Sequence, residues 1–166
     1  AAEDGTAFVF MGHGTSHTAN VTYDQMQTQM EDLGFTNAFI GTVEGEPEDT
    51  ECQAVIAKVK DAGFKKVVLR PLMVVAGDHA NNDMAGDDDD SWKSQFDASG
   101  AFDSVDCQIA GLGRIEAVED LYVEHTKAAI DSLGADAEAA TDDAEAEATD
   151  DTAADDAAET TEEAAE

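Results

Sequence analysis

An α/β fold, with a parallel sheet of about four strands and helices on both faces, is predicted by two features of this 166-residue sequence. Four short apolar runs, typical of buried strands, alternate with stretches in which apolar residues recur at helical spacing. The connections between most of these segments are short, as in β-α-β units with parallel strands. A third feature, the change to an acidic composition after residue 134, predicts that the sheet domain ends there.

The first half of the chain contains two strand–helix units. Residues 7–11 are uniformly apolar, which is typical of a strand covered on both faces. The first helix is expected to stop at Gly34, and the second begins at a capping box of Thr50 and Gln53 and ends at Gly63. The predicted order is a strand at 7–11, a helix with Tyr23, Met26, Met30 and Leu33 on one face, a strand at 38–43, and a helix with Cys52, Val55, Ile56 and Val59 on one face.

The second half repeats the pattern with a longer connection. A third strand is predicted at 67–75, where Pro71 indicates that the ladder ends or bulges. The long polar segment that follows contains a short predicted helix around 91–96, capped by Asp90 or Ser91. A fourth strand at 105–110 and the turn Gly111-Leu112-Gly113 lead into a last helix, with Ile115, Val118, Tyr122 and Ala129 on one face.

Charge divides the chain into two parts. It has 39 acidic and 8 basic residues, a net charge of −31. Residues 135–166 hold 14 of the acidic residues and no basic, large aliphatic or aromatic residue, so they are predicted to form a disordered tail after a domain at 1–134. The net charge of −17 that remains on the domain argues against nucleic acid and anionic membranes as partners. The sequence contains no run of about 18 apolar residues, so no membrane span is predicted.

Two further features concern compartment and redox state. The chain begins with alanine, so we expect that an upstream segment, such as a signal peptide, has been removed or is not included here. Export or attachment to the cell surface is therefore favoured over a cytoplasmic location. Cys52 and Cys107 lack the close spacing of a metal or redox motif. We expect two buried thiols, with a disulfide as the alternative in an exported protein.

Three loops carry the side chains best suited to bind a metal. His13 lies between two glycines after the first strand, Glu44 lies in residues 41–45 after the second, and His79 follows the third. Because the carboxyl ends of parallel strands meet at one edge of a sheet, we expect these side chains to converge. Two imidazoles and a carboxylate bind divalent transition metals and leave coordination positions open. Asp78 and Asp83 are candidates for orienting an imidazole through its other nitrogen.

Simpler interpretations stand beside this one. A single histidine in a glycine-rich turn is usually structural, and a single glutamate after a strand is usually solvated. His17 is better explained as a surface residue at a helix start, and His125 as a core histidine on the face of Val118 and Tyr122. The aspartates at 87–90 are better explained as helix N-terminal charge or a solvated loop than as a cation site.

The three loops that carry His13, Glu44 and His79 resemble the anaerobic sirohydrochlorin cobaltochelatase family of class II tetrapyrrole chelatases. The resemblance includes Asp90-Ser91-Trp92-Lys93 and Gly111-Leu112-Gly113 and covers about residues 6–133. The resemblance implies a chelatase-like (Rossmann-like) fold. It implies a lyase that inserts Co²⁺ into sirohydrochlorin in oxygen-independent cobalamin synthesis. It also implies that His13, Glu44 and His79 bind the cobalt ion and that His13 accepts pyrrole protons. The residue types alone also allow Ni²⁺, Fe²⁺ or Zn²⁺.

Family members usually contain two such domains, and this chain resembles the second alone. We therefore expect either a homodimer or a missing N-terminal chelatase domain. The apolar residues 72–75 are a candidate wall for the ring, although core packing explains them equally well.

Charge favours an alternative function. Sirohydrochlorin carries eight carboxylates, which a domain at −17 repels unless Arg70, Lys93 and Arg114 compensate locally. The alternative is an exported metal- or haem-binding protein on a chelatase scaffold without chelatase activity. A structural fragment that has lost its function is a third interpretation.

Overall fold

A computed structural model describes residues 4–150, with side chains through residue 134. Its strands are β1 (Thr6–Gly12), β2 (Ala38–Thr42), β3 (Lys66–Pro71) and β4 (Ser104–Cys107). Its helices are α1 (Val21–Asp32), α2 (Cys52–Asp61), α3 (Trp92–Ala98) and α4 (Glu116–Asp150), with 3₁₀ turns at Thr18–Asn20, Glu48–Thr50 and Leu112–Arg114 and a π-helical turn at Ala80–Met84. The four strands are parallel, in the order β2-β1-β3-β4, which confirms the predicted sheet.

Two strands end earlier than predicted. β3 stops at Pro71, which lies opposite Met11 at the end of the ladder. Proline has no N–H to donate, and the ladder ends within one residue of it, where the Leu72 N–H still donates to the Met11 carbonyl at 2.7 Å. β4 stops at Cys107, the last residue with a register partner on β3, although β3 itself continues to Pro71 beside β1. The two shortened strands leave long loops at the carboxyl edge of the sheet.

One face of the sheet carries the main core. Val9 and Met11 of β1 are fully buried there, against Val55 of α2 and Phe96 of α3. The opposite face carries Phe8 and Phe10, which are only half-buried and line a groove with Met30 of α1 and the neighbouring Phe35. Helices therefore lie on both faces, as predicted, although the cover over β1 is complete on only one of them.

The described chain forms two compact units, one up to Glu119 and one from Asp120 onward. Helix α4 continues to Asp150, so the backbone of residues 135–150 is helical where composition predicted disorder. The high helix propensity of alanine accounts for this difference. The predicted disorder of 151–166 lies outside the described residues, and the predicted boundary at 134 stays a prediction. None of the described helices is both long and apolar enough to cross a membrane.

The expectation that His125 is a core residue is wrong. Its side chain is exposed, and Tyr122 on the same helical face is 55% exposed. Leu121 and Ile130 are exposed to a similar degree. In the described part of its unit, residues 120–150, this helix is the one element, and a single helix has no second element against which to bury an apolar stripe.

Both cysteines are free thiols, but their environments differ. Cys52 is buried at the start of α2, whereas Cys107 is half-buried at the end of β4. Burial raises the pKa of the Cys52 thiol to about 12, with a smaller contribution from neighbouring Glu51. The pKa of Cys107 is also raised by burial.

We expect a thiol reagent at pH 8 to modify Cys107 faster than Cys52 in the folded protein. The thiolate is the reactive form, and the Cys52 thiolate is both scarce and inaccessible. Peptide mapping after timed alkylation measures the two rates, and unfolding in denaturant should make them similar. Equal rates in the folded state, or a Cys52–Cys107 disulfide in the peptide map, would contradict the described environments.

Candidate metal site

The three predicted loops do lie at one edge of the sheet. His13 follows β1, Glu44 follows β2, and His79 lies in the loop after β3. The first two loops are joined by backbone hydrogen bonds: the Val43 N–H donates to the Gly12 carbonyl and the Glu44 N–H to the His13 carbonyl, each at 2.9 Å. The parallel ladder of β1 and β2 thus continues past the strand ends and fixes the two loops side by side.

The two imidazoles are in contact. The ring centroids of His13 and His79 are 4.8 Å apart, and the rings meet edge to face at 83°. Nδ1 of His13 lies 2.9 Å from the carbonyl oxygen of its neighbour Gly14. Nδ1 of His79 lies 2.5 Å from Oδ2 of Asp83. Both Nδ1 atoms are thus engaged as N–H donors, and Nε2 of each ring has no hydrogen-bond partner among residues 4–134. Two such Nε2 atoms are suited to bind one metal ion.

Glu44 stands apart from this pair. Its side chain is exposed, and its carboxylate accepts no hydrogen bond from the residues whose side chains are described. Within the same residues, no three His, Cys, Asp or Glu side chains form a cluster ready to hold a metal. An exposed carboxylate is well hydrated, so water competes with any contact that it makes to the imidazoles. The backbone therefore brings Glu44 to the correct edge, while its side chain is not gathered with the imidazoles.

Tyr23 fixes the loop that carries His13, a role that the sequence did not reveal. A side chain at Gly12 would meet the Tyr23 ring at 2.6 Å, so the ring occupies the space that glycine leaves. The Gly14 N–H donates to the Tyr23 hydroxyl at 2.9 Å, and Gly14 has a φ of +95°, a region that favours glycine. The available signal was that Tyr23 is the one residue of its predicted apolar face with a hydroxyl.

Of the two aspartates proposed to orient an imidazole, only Asp83 contacts one. The π-helical turn at Ala80–Met84 places Asp83 beside His79, whereas the Asp78 carboxylate accepts a hydrogen bond from Asn82 Nδ2 at 2.6 Å. Asp83 is half-buried, which strengthens its interaction with the imidazole N–H. The geometry makes Asp83 the residue that orients His79.

The remaining candidates have the simpler roles. His17 is exposed and caps the 3₁₀ turn at Thr18–Asn20, since its Nδ1 accepts from the Ala19 N–H at 3.0 Å. The aspartates at 87–90 are exposed. Ser91, rather than Asp90, caps α3, and its hydroxyl accepts from the Ser94 N–H at 3.2 Å.

Comparison with known proteins points to one family. The family model described as cobalt chelatase (CbiK) matches residues 1–131. A sirohydrochlorin cobaltochelatase of Salmonella typhimurium is 43% identical over 122 residues, which cover 74% of this chain and 44% of that protein. The sirohydrochlorin cobaltochelatase CbiKC of Nitratidesulfovibrio vulgaris is 35% identical over 129 residues, which cover 76% of this chain and 43% of that protein. The chain therefore spans less than half the length of these relatives.

A solved structure supports the fold alone. The crystal structure of a CbiX protein of cobalamin biosynthesis from Marinobacter aquaeolei superposes with a TM-score of 0.53 at 16% identity. The match covers 75% of this chain and 97% of that one. A likeness at this identity indicates a shared architecture, and it says nothing about which side chains are retained.

Proposed function

Because the chain belongs to the cobalt chelatase (CbiK) family, we propose that it inserts Co²⁺ into sirohydrochlorin, a lyase reaction of cobalamin synthesis. The observation that carries the proposal is the contact between His13 and His79 at the carboxyl edge, with both Nε2 atoms unengaged. The curated relatives that the chain matches are named sirohydrochlorin cobaltochelatases, which favours this metal and this tetrapyrrole.

His13, Glu44 and His79 are the proposed ligands of the metal substrate. Imidazole nitrogen and carboxylate oxygen bind divalent Co²⁺, and three protein ligands leave positions at which ring nitrogens can displace them. The same ligand types also bind Ni²⁺, Fe²⁺ and Zn²⁺, so the preference for Co²⁺ rests on the names of the relatives. Glu44 lies on an exposed loop and joins the imidazoles when a cation draws its carboxylate inward.

His13 is the proposed base. Metallation exchanges two pyrrole N–H protons for one Co²⁺, so a proton acceptor must stand beside the ion. Nδ1 of His13 donates to the Gly14 carbonyl, which leaves the lone pair on Nε2. That atom serves first as metal ligand and then, as the ion begins to bond the ring nitrogens, as acceptor of one pyrrole proton. Because His13 is exposed, it passes this proton to solvent and can then accept the second. Imidazole suits this role because its free pKa lies near neutrality.

A second chelatase-like domain is part of the proposal. His13 and Glu44 are exposed, and the curated relatives are more than twice as long as the region they share with this chain. A second copy of the chain is the proposed cover for the far side of the tetrapyrrole. Light scattering coupled to gel filtration tests this, and a dimer that forms or tightens with sirohydrochlorin is expected.

The charge of the chain supports one competing function. A net charge of −31 attracts divalent cations and repels a tetrapyrrole with many carboxylates. A metal- or haem-binding protein on the same scaffold would keep the histidine pair and lack the reaction. An exported or surface location, which fits the acidic composition, belongs to the same proposal.

We expect anaerobic mixing of the protein with Co²⁺ and sirohydrochlorin to give metallation faster than the protein-free control. The absorbance change of the tetrapyrrole follows the reaction. The His13→Ala variant should fall to the protein-free rate, because it loses both a ligand and the base. His17→Ala, at an exposed capping histidine four residues away, should keep the wild-type rate and is the matched control. No acceleration by the wild type, with Co²⁺ or haem still bound, would favour the binding protein.

A further inference from the structure

A recess with an apolar wall lies beside the loop that carries His79. It measures about 420 Å³ and is lined by Val74, Val75, Ala76, Ile109, Gly111, Gly113 and Arg114. Its apolar side chains face outward, with 45% of Val74, 74% of Val75 and 45% of Ile109 exposed. Core packing was one explanation for the apolar residues 72–75. It does not account for Val74 and Val75, because neither is buried.

The Gly111-Leu112-Gly113 turn holds these valines in place. The Leu112 N–H donates to the Met73 carbonyl at 2.8 Å, and the Gly113 N–H donates to the Val74 carbonyl at 3.0 Å. A side chain at Gly111 would lie 2.4 Å from the Val74 carbonyl oxygen, so only glycine allows this approach. The loop after β3 is thus fastened to the loop after β4, and the exposed valines belong to a fixed surface.

Three basic residues, Arg70, Lys93 and Arg114, are candidates to bind the carboxylates of the tetrapyrrole. Of these, Arg114 is the one that is free to do so at this edge of the sheet. Arg70 lies over the Phe10 ring, 6.0 Å from its centroid, in the groove on the face of the sheet. Lys93 pairs with Asp97 at 2.7 Å, and this contact raises the pKa of Lys93. Arg114 is exposed and makes no salt bridge with the residues whose side chains are described.

We propose that this recess binds one edge of the tetrapyrrole, with Val75 and Ile109 against the ring and the Arg114 guanidinium on a peripheral carboxylate. The guanidinium fork matches a carboxylate in two parallel hydrogen bonds, and a nearby apolar surface favours a flat macrocycle. The recess is tied to the His79 loop at Ala76, which lines it and whose carbonyl, like that of Gly77, accepts a hydrogen bond from Asn81 Nδ2, at 3.3 and 2.7 Å. This inference rests on the proposed function and adds a specificity-determining residue to it.

The test measures binding of metal-free sirohydrochlorin by absorbance titration of the full chain, without cobalt. Arg114→Gln should raise the Kd about tenfold, the effect of losing one charged hydrogen-bonded contact of about 1.4 kcal/mol. Arg70→Gln removes the same charge away from the recess and should change the Kd less than about twofold. Arg114→Lys should lie between the two, because lysine keeps the charge without the fork. Calorimetric titration with Co²⁺ should be unaffected in all three variants.

The apolar wall has its own test. Val75→Asn places a polar side chain of similar size at a residue that is 74% exposed, so folding should be unaffected. Leu33→Asn, at a residue that is 65% exposed at the end of α1, is the matched control. Only Val75→Asn should weaken binding of the tetrapyrrole.

The possible failures can be told apart. In one outcome the wild type metallates sirohydrochlorin, but Arg114→Gln and Arg70→Gln bind it with equal Kd. That result would overturn the inference and leave the chelatase proposal intact. Arg114-dependent binding of sirohydrochlorin without metallation would overturn the chelatase proposal and support the inference. A wild-type chain that does not bind metal-free sirohydrochlorin would overturn the inference outright.

Discussion

Replacing His79 with alanine is expected to abolish tight binding of Co²⁺ while leaving the domain folded. The variant removes one of the two unengaged Nε2 atoms, so its effect on the Kd should exceed the roughly 10- to 100-fold that loss of an orienting partner costs. The His79 side chain is 36% exposed and packs into no buried cluster, so the thermal midpoint should move little. Anaerobic calorimetric titration with Co²⁺, beside a thermal melt of each variant, measures both quantities.

Two variants separate the two ways in which Asp83 can favour binding of Co²⁺, by orienting the His79 ring and by its negative charge. Asp83→Asn keeps the shape of the side chain but weakens its hold on the His79 N–H, and the Kd for Co²⁺ should rise by about 10- to 100-fold. Asp78→Asn removes an identical charge one residue from His79, where the carboxylate bonds Asn82 instead. It should change the Kd only through the general field. Equal effects of the two variants would mean that Asp83 attracts the ion without orienting the imidazole.

The fold was predictable because local signals and the global arrangement agree. Apolar runs of strand length alternate with helical patterns, and this alternation has few solutions other than a parallel sheet. Pro71 correctly marked the end of a ladder, since a missing N–H acts locally. The sequence did not reveal that β4 would also end early, because nothing in residues 108–110 marks the end of a strand.

The site was predictable only as far as the backbone determines it. Strand ends fix where His13 and His79 emerge, and the structure brings these rings together. The position of the Glu44 carboxylate depends on rotamers and solvent, which no sequence pattern encodes. The choice of Asp83 over Asp78 depends on a helical turn in the loop after β3, which places residues four apart side by side, and that segment was predicted only as a long polar connection. Tyr23 was hidden for a similar reason, because its hydroxyl bonds a loop nine residues earlier.

Periodicity also failed at His125 for a physical reason. An apolar stripe on a helix indicates that something covers it, but not what that partner is. Within the unit that begins at Asp120, the stripe residues Tyr122, His125 and Ala129 are exposed. The exposure of Val74 and Val75 was also not predicted. A short apolar run indicates a strand whether or not all of its residues stay in the sheet.

Replacing Trp92 with alanine is expected to be the most destabilising substitution in the sheet domain. Trp92 is 3% exposed at the start of α3 and stacks on Phe96, with ring centroids 6.1 Å apart. Losing a buried tryptophan costs about 3–5 kcal/mol, a large share of the roughly 5–15 kcal/mol that stabilises a typical domain. Denaturant unfolding followed by circular dichroism measures the loss. A cost below about 1 kcal/mol would show that the site collapses around the cavity or that the indole is not packed as described.

Gly41 gives this packing a sharper test. A side chain at Gly41 would lie 2.4 Å from Cη2 of Trp92 and 2.9 Å from Cγ2 of Val55, so Gly41→Ala overpacks the core and should cost about 1–3 kcal/mol. Phenylalanine at position 92 lacks the far end of the indole that causes the closest clash. In a Trp92→Phe background Gly41→Ala should therefore cost clearly less, giving a favourable coupling in the double-mutant cycle. Additive costs would mean that the close approach of Trp92 is not what requires glycine at the end of β2, beside the loop that carries Glu44.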